Sequence, residues 1–168
     1  MHVISLFNGM GCLWYALNRL NVKVTKRYVC EVDKYANQTN NAVFKDSIML
    51  GDVTGWRDWP IEWEKINLLA GGSPCQGFSF AGKQLNFNDP RSKLYFVFLE
   101  IWEHIKKHNP KAYVLLENVD MNKKYMRVIN ETMGFTGVCI NSDLLSSQNR
   151  KRWYWSNILL SLIHISEP

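Results

Sequence analysis

One thiol in this chain stands where a nucleophile would. Cys75 lies in Gly71-Gly72-Ser73-Pro74-Cys75-Gln76-Gly77-Phe78-Ser79, directly after Ile66 to Ala70, an apolar run that reads as a strand. Pro74 fixes the chain in front of it, and a polar, Gly- and Asn-rich stretch without periodicity continues to Pro90. The thiolate is the reactive form of a cysteine whose free pKa is about 8.5, so a reactive cysteine needs an exposed setting of this kind. A structural cysteine belongs within a strand or helix, which is where Cys30 and Cys139 fall. The next predicted strand, Ala112 to Leu116, ends at Glu117-Asn118-Val119. By itself such a carboxylate is an ordinary solvated loop residue. One strand from Cys75 on the same rim, it suits covalent attack coupled to proton handling.

A second group of residues points to a nucleoside cofactor. Phe7-Asn8-Gly9-Met10-Gly11 permits a tight turn and close approach of the backbone to a ligand at a helix N-terminus. Glu31 follows Gly11 by 20 residues, the separation at which a carboxylate hydrogen-bonds both ribose hydroxyls of an adenosine cofactor. A dinucleotide-binding GxGxxG would place its third glycine at position 14, where Trp14 stands, and this weakens an NAD reading. The glycine pair alone is as often a plain tight turn; Glu31 tips the balance. Asp52, in Gly51-Asp52-Val53, is either an acceptor for an adenine amino group or a cap or turn residue, and both stay open. Gln148-Asn149-Arg150-Lys151-Arg152 precedes Trp153-Tyr154-Trp155. Charge runs are usually solvated, but strand alternation sets Arg150 and Arg152 on one side, where both can face a phosphate or a base.

The elements that must position these residues alternate regularly. Strands are expected at His2–Phe7, Thr25–Glu31, Ser47–Leu50, Ile66–Ala70, Ala112–Leu116, Phe135–Ile140 and Lys151–Ile158. Helices are expected at Cys12–Leu20, Lys34–Phe44, Arg91–His108 and Asn122–Met133. This interval predicts an α/β, doubly wound fold, a mostly parallel sheet with helices on both faces. Ligands bind such sheets beyond the carboxyl ends of the strands. Gly9 and Gly11, Glu31, Asp52, Cys75 and Glu117 follow five successive strands and converge on that rim.

Composition narrows the field. The 168 residues suit one domain, and with 46 % hydrophobic and 21 % charged residues the chain can form a buried core. No apolar run reaches the roughly 18 residues of a membrane span, and Asn8, Gly9 and Gly11 interrupt any secretory signal, so a cytoplasmic protein is expected. The four cysteines, at 12, 30, 75 and 139, form no CxxC pair and have no histidine cluster, which disfavours zinc and a disulfide framework; no metal is expected. A net charge of +5 favours a polyanionic partner.

Taken in order, these motifs resemble those of the DNA (cytosine-5)-methyltransferases over roughly residues 2 to 158. The family's FxGxG loop is Phe7, Gly9 and Gly11; its ribose acid is Glu31; its GDV element is Asp52 and Val53. Pro74-Cys75-Gln76 matches the PCQ nucleophile motif, Asp89-Pro90-Arg91-Ser92 a DPRS helix start, Glu117-Asn118-Val119 the ENV motif, and Gln148, Arg150 and Arg152 QxRxR. The resemblance implies a Rossmann-like fold dependent on S-adenosyl-L-methionine, held by Phe7, Gly9, Gly11, Glu31, Asp52, Val53 and Pro74. It implies that Cys75 adds to carbon 6 of a cytosine flipped out of DNA, making carbon 5 nucleophilic toward the sulfonium methyl. Glu117 would hydrogen-bond ring nitrogen 3 and the exocyclic amine. Arg152, rather than Arg150 nearby, would hold the base near its carbonyl oxygen. Gln76, Ser79, Asn118, Val119 and Gln148 would line the substrate side, and the 75–90 loop would close over the base. A monomer is expected.

The chain also departs from the pattern. Members continue into a target-recognition region and a C-terminal element that returns to the first helix, and neither is found here. Leu160-Ser161-Leu162-Ile163-His164-Ile165-Ser166-Glu167-Pro168 matches the translation of a transposon-type sequencing adapter. The expectation is therefore a catalytic and cofactor-binding domain over 1–159, incomplete, with a non-native tail at 160–168. Such a piece is expected to bind S-adenosylmethionine weakly and to lack sequence-selective methylation. A transfer-RNA cytosine methyltransferase with the same PCQ and ENV motifs, a silent regulatory paralogue and a dinucleotide oxidoreductase are the competing readings. Target sequence, and a role as restriction partner, phage self-protection or orphan regulator, are not encoded in these motifs.

Overall fold

The carboxyl ends of five neighbouring parallel strands form one rim of the sheet, as the motif positions require. The computed structural model describes residues 1–74, 90–144 and 146–158. Cys75, Gln76 and Ser79, the loop over 75–89 and the 160–168 tail lie outside the described residues. The elements run β1 (His2–Leu6), α1 (Cys12–Arg19), β2 (Lys26–Cys30), α2 (Lys34–Val43), β3 (Ser47–Met49), β4 (Ile66–Gly72), α3 (Pro90–His108), β5 (Tyr113–Val119), α4 (Lys123–Met133), β6 (Val138–Asn141) and β7 (Lys151–Ser156). The strand order is β3-β2-β1-β4-β5-β7-β6. The order reverses between β1 and β4, the switch point where open α/β sheets bind ligands. Pairings from β3 across to β5 are parallel, whereas β7 is antiparallel to both β5 and β6.

Strand alternation divides the core between the two faces. Val3, Val29, Leu68 and Ala70 point to the side of α1 and α2, where they pack with Trp14, Leu17 and Phe44. Ile4, Leu6, Tyr28 and Leu69 point to the other side, against Phe98, Ile101 and Trp102 of α3 and Ile129 and Met133 of α4. Each such fully buried large side chain contributes roughly 1.5–3 kcal/mol relative to exposure. Helix ends follow local chemistry. Asp33 caps α2 by accepting from the Ala36 N–H at 2.7 Å, and Asn122 caps α4 by accepting from Lys124 at 2.9 Å. Gly134 closes α4 with a φ of 75°.

Two departures from the expected elements bear on the site. β5 runs on to Val119, so Glu117 lies within the strand rather than beyond it. The reason is β7, whose reversed direction pairs Glu117 with Tyr154 and Val119 with Arg152 and so extends the ladder. The segment between β3 and β4 holds two short 3-10 turns, Val53–Asp58 and Trp63–Lys65, that hydrophobic periodicity did not announce. Trp56 and Trp59 from this segment are buried in the α3-side core.

Candidate active site

The candidate site's rim is built from β4, β5 and β7. Gly72 and Glu117 are register partners, and a β-carbon at Gly72 would lie 2.7 Å from Glu117 Oε2. The Glu117 carboxylate thus lies over the bare backbone at the end of β4. Its Oε1 forms a half-buried ion pair with Arg152, 3.0 Å from Nε, while Arg152 Nη1 donates to the Lys151 carbonyl at 2.7 Å. Tyr154 is the register partner of Glu117 on β7, and burial, reinforced by that carboxylate, pushes its hydroxyl pKa up. Asn118 faces away from this group and is buried. Its Nδ2 donates to Ser73 Oγ at 3.2 Å and Ser73 O at 3.4 Å, while its Oδ1 accepts from the Val119 N–H at 2.8 Å. Asn118 therefore ties the end of β5 to Ser73, which is followed by half-buried Pro74, the last described residue before Cys75.

The glycine loop forms the neighbouring part of the rim. Phe7 leaves β1 with a φ of 53°, and Gly9 and Gly11 follow at 56° and 90°, left-handed conformations that residues other than glycine rarely adopt. A β-carbon at Gly9 would meet nothing within 4 Å, so open space lies over the loop. Gly11 serves as N-cap of α1 with no side-chain cap, leaving the first-turn N–H groups unclaimed by a side chain. Glu31 closes the loop: Oε2 accepts from Gly9 N–H at 2.8 Å, and Oε1 accepts from Val32 and Asp33 N–H at 2.8 and 2.9 Å. Three of the roughly four acceptor sites of an ionised carboxylate are thereby used. Holding both ribose hydroxyls would require one of these backbone bonds to give way.

The remaining predicted positions have varied surroundings. Asp52 acts as a cap, its Oδ1 accepting from the Thr54 N–H at 2.7 Å and hydroxyl at 2.8 Å, which lowers its pKa. Val53 is buried at the start of that turn. Arg150 lies one residue ahead of β7, which begins at Lys151, on the connection from β6. Its backbone N–H is taken by Asn141 Oδ1 at 3.0 Å, closing the connection from β6, and its side chain is exposed. Gln148 is exposed on the same connection, where its carbonyl accepts from Ser142 Oγ at 2.6 Å. Cys30 is inert: its thiol donates to Gly51 O at 3.0 Å, and burial, with Asp52 and Glu31 nearby, pushes its pKa up to about 12. Gly72, Ser73, Tyr154 and Asn40 were not singled out by motif. The Gly71-Gly72 doublet opposite an acidic strand end was the available signal for Gly72.

Among the described residues no group of His, Cys, Asp and Glu could hold a metal ion, and no helix is long and apolar enough to cross a membrane. The C-5 cytosine-specific DNA methylase family matches residues 1–165. The orphan methyltransferase M.SPRI of Bacillus phage SPR is 33% identical over 183 residues, covering 99% of this chain and 40% of its own length. The type II methyltransferase M.HpaII of Haemophilus parainfluenzae is 34% identical over 163 residues, covering 90% of this chain and 44% of its own. The chain thus spans about two fifths of these curated relatives. In fold it is similar to the crystal structure of the S. pombe Dnmt2 methyltransferase, with a TM-score of 0.70 at 20% identity over 93% of this chain and 50% of that one. With the glycine loop, Glu31 and the Glu117–Arg152 pair arranged on one rim of this sheet, the chain belongs to the C-5 cytosine-specific DNA methylase family.

Proposed function

We propose that this chain carries the cofactor-binding and catalytic portion of an enzyme that methylates carbon 5 of cytosine in DNA. The observation that carries the reading is the Glu117 carboxylate, seated over Gly72, held by Arg152 and joined through Asn118 to the segment that leads into Cys75. S-adenosylmethionine, when bound, supplies an electrophilic methyl group on a sulfonium. The open space over Gly9, the uncapped start of α1 and the acceptor site left on Glu31 fit such a cofactor, with Phe7, Gly11, Asp52, Val53 and Pro74 around it.

The chain's own residues divide the work. Cys75, as thiolate, adds to carbon 6 of the cytosine and leaves again after carbon 5 has lost its proton. Glu117 accepts from the exocyclic amine and delivers a proton to ring nitrogen 3 as the thiolate adds, which neutralises the charge that develops on the ring. Arg152 orients Glu117 and faces the base carbonyl, while Arg150 and Gln148 meet the nucleic acid nearby. Gln76, Ser79 and Val119 line the base, and Asn118 fixes the strand end. Extruding the cytosine costs a few kcal/mol, which this pocket must offset. The net charge of +5 suits the polyanion. Incubation of the full chain with S-adenosylmethionine and a duplex containing 5-fluorocytosine tests this. The expected result is a covalent adduct with the wild type and none with Cys75→Ser; an adduct formed equally by both refutes the role of Cys75.

A further inference from the structure

Asn40, on α2, is a fully buried amide with 0% exposure, and it lies outside every motif that pointed to the site. Its hydrogen-bonding capacity is filled. Oδ1 accepts from Trp14 Nε1 and from Asn8 Nδ2, each at 3.1 Å; Nδ2 donates to Asn41 Oδ1 at 3.0 Å and Ser47 Oγ at 3.1 Å. The orientation follows from chemistry, because an indole N–H only donates and so requires the amide oxygen toward Trp14. That choice turns the nitrogen of Asn8 toward Asn40 and leaves Asn8 Oδ1 as a buried acceptor with no partner. The backbone of the loop rests on the same atom, since a β-carbon at Gly11 would lie 2.7 Å from Asn40 Oδ1. Trp14 occupies the place of a third glycine and fills the space between α1 and the sheet.

From this arrangement we infer that Asn40 is a positioning residue for the cofactor loop. One carbonyl oxygen locks the start of α1 through Trp14 and the loop itself through Asn8, and so fixes Phe7 to Gly11 before a ligand arrives. Preorganisation of this kind raises affinity by removing the ordering that binding would otherwise require. The inference rests on the reading of this loop as an S-adenosylmethionine site.

The test measures the dissociation constant for S-adenosylhomocysteine by calorimetry on the full chain, with amide hydrogen exchange at Gly9 and Gly11 in the ligand-free protein. Asn40→Ala removes the acceptor; Asn40→Asp keeps a carbonyl oxygen toward Trp14 and Asn8 but loses the donors to Asn41 and Ser47. Asn40→Ala is expected to weaken binding about tenfold and to speed exchange at both glycines. Asn40→Asp is expected to bind within about threefold of wild type although it melts earlier. A purely structural role would lower the melting temperature of both and leave the affinity of the folded molecules unchanged, and that result overturns the inference. Equal loss of affinity in both variants also overturns it. Should Asn40→Ala fail to fold, Asn8→Ala removes the loop's side of the same bond: weaker binding supports the role, and unchanged binding refutes it. If the wild type binds no S-adenosylhomocysteine, the cofactor reading fails, and exchange at Gly9 and Gly11 in Asn8→Ala still decides whether Asn40 orders the loop.

Discussion

Gly72 and Glu117 face each other across β4 and β5 so closely that any side chain at 72 competes with the carboxylate for the same space. The atom in the way is the end of a flexible side chain, so Gly72→Ala leaves the fold intact and moves Glu117 instead. Displacement of a catalytic group by about 1 Å can lower a rate roughly a hundredfold. Gly72→Ala is therefore expected to slow trapping on 5-fluorocytosine DNA by about that factor, with stability changed by less than about 1 kcal/mol. Gly71→Ala gives the opposite pattern. Its β-carbon would lie 2.7 Å from the backbone oxygen of Leu6, which cannot swing aside, so the expected loss is about 1–3 kcal/mol of stability. Urea unfolding and trapping rates on the two variants separate these outcomes.

Arg152 contributes orientation more than stability. A partly exposed ion pair stabilises by about 1 kcal/mol at most, so Arg152→Ala changes the unfolding midpoint little. The ion pair with Glu117 is made by Nε, an atom in a planar fork that lysine lacks. Arg152→Lys should accordingly lose most of the trapping rate despite keeping its charge, while Arg150→Lys retains it. Equal effects of the two lysine substitutions would show that charge alone matters at this rim.

The fold was legible because its signals are local and repeated. Apolar runs at His2, Ile66 and Ala112 and amphipathic stretches at Arg91 and Asn122 gave the alternation, and motif spacing gave the rim. Glu117 and Arg152 were both in view, but their ion pair was not, since it depends on β7 running antiparallel, which no periodicity encodes. Alternation places Arg150 and Arg152 on one side of a strand; in the structure β7 begins only at Lys151, and the connection that holds Arg150 closes on Asn141. Trp14 was read as a lost glycine. Its burial against Asn40, 26 residues away, is a tertiary solution invisible to a one-dimensional pattern.

Asn118 is 1% exposed, and its amide is the polar link between the ends of β4 and β5. Asn118→Ala leaves the buried Ser73 hydroxyl and the Val119 N–H without these bonds, an expected loss of about 1–3 kcal/mol. Asn118→Asp keeps the acceptor for Val119 and loses only the donor to Ser73. Both variants should keep most of their affinity for S-adenosylhomocysteine, because the glycine loop is untouched and, of the residues assigned to the cofactor, only Pro74 adjoins the lost anchor. Both should slow trapping, because the segment entering Cys75 loses its anchor. A variant that loses stability but traps at the wild-type rate would separate Asn118 from the nucleophile's placement.

Asp52 gives the site a pH dependence whose sign follows from its cap. The Thr54 N–H and hydroxyl stabilise the ionised carboxyl, so its pKa in the folded chain lies below the ordinary carboxylate range. The unfolded chain then binds the proton more readily, and stability falls with acidification. The contribution is complete above the unfolded value of about 3.9 and is lost as pH drops through the lower folded value. Asp52→Asn keeps a capping oxygen of similar strength, so stability near pH 7 should change by less than about 0.5 kcal/mol. Urea midpoints from about pH 6 down to about pH 3 should fall less steeply in this variant than in the wild type. The same substitution separates the two roles that the sequence left open. A cap alone predicts unchanged affinity for S-adenosylhomocysteine. An acceptor for the adenine amino group predicts weaker binding at neutral pH without loss of stability, because an amide that keeps its oxygen on Thr54 presents a donor where the cofactor needs an acceptor. The second outcome is the one expected here, since the bonds to Thr54 involve only Oδ1.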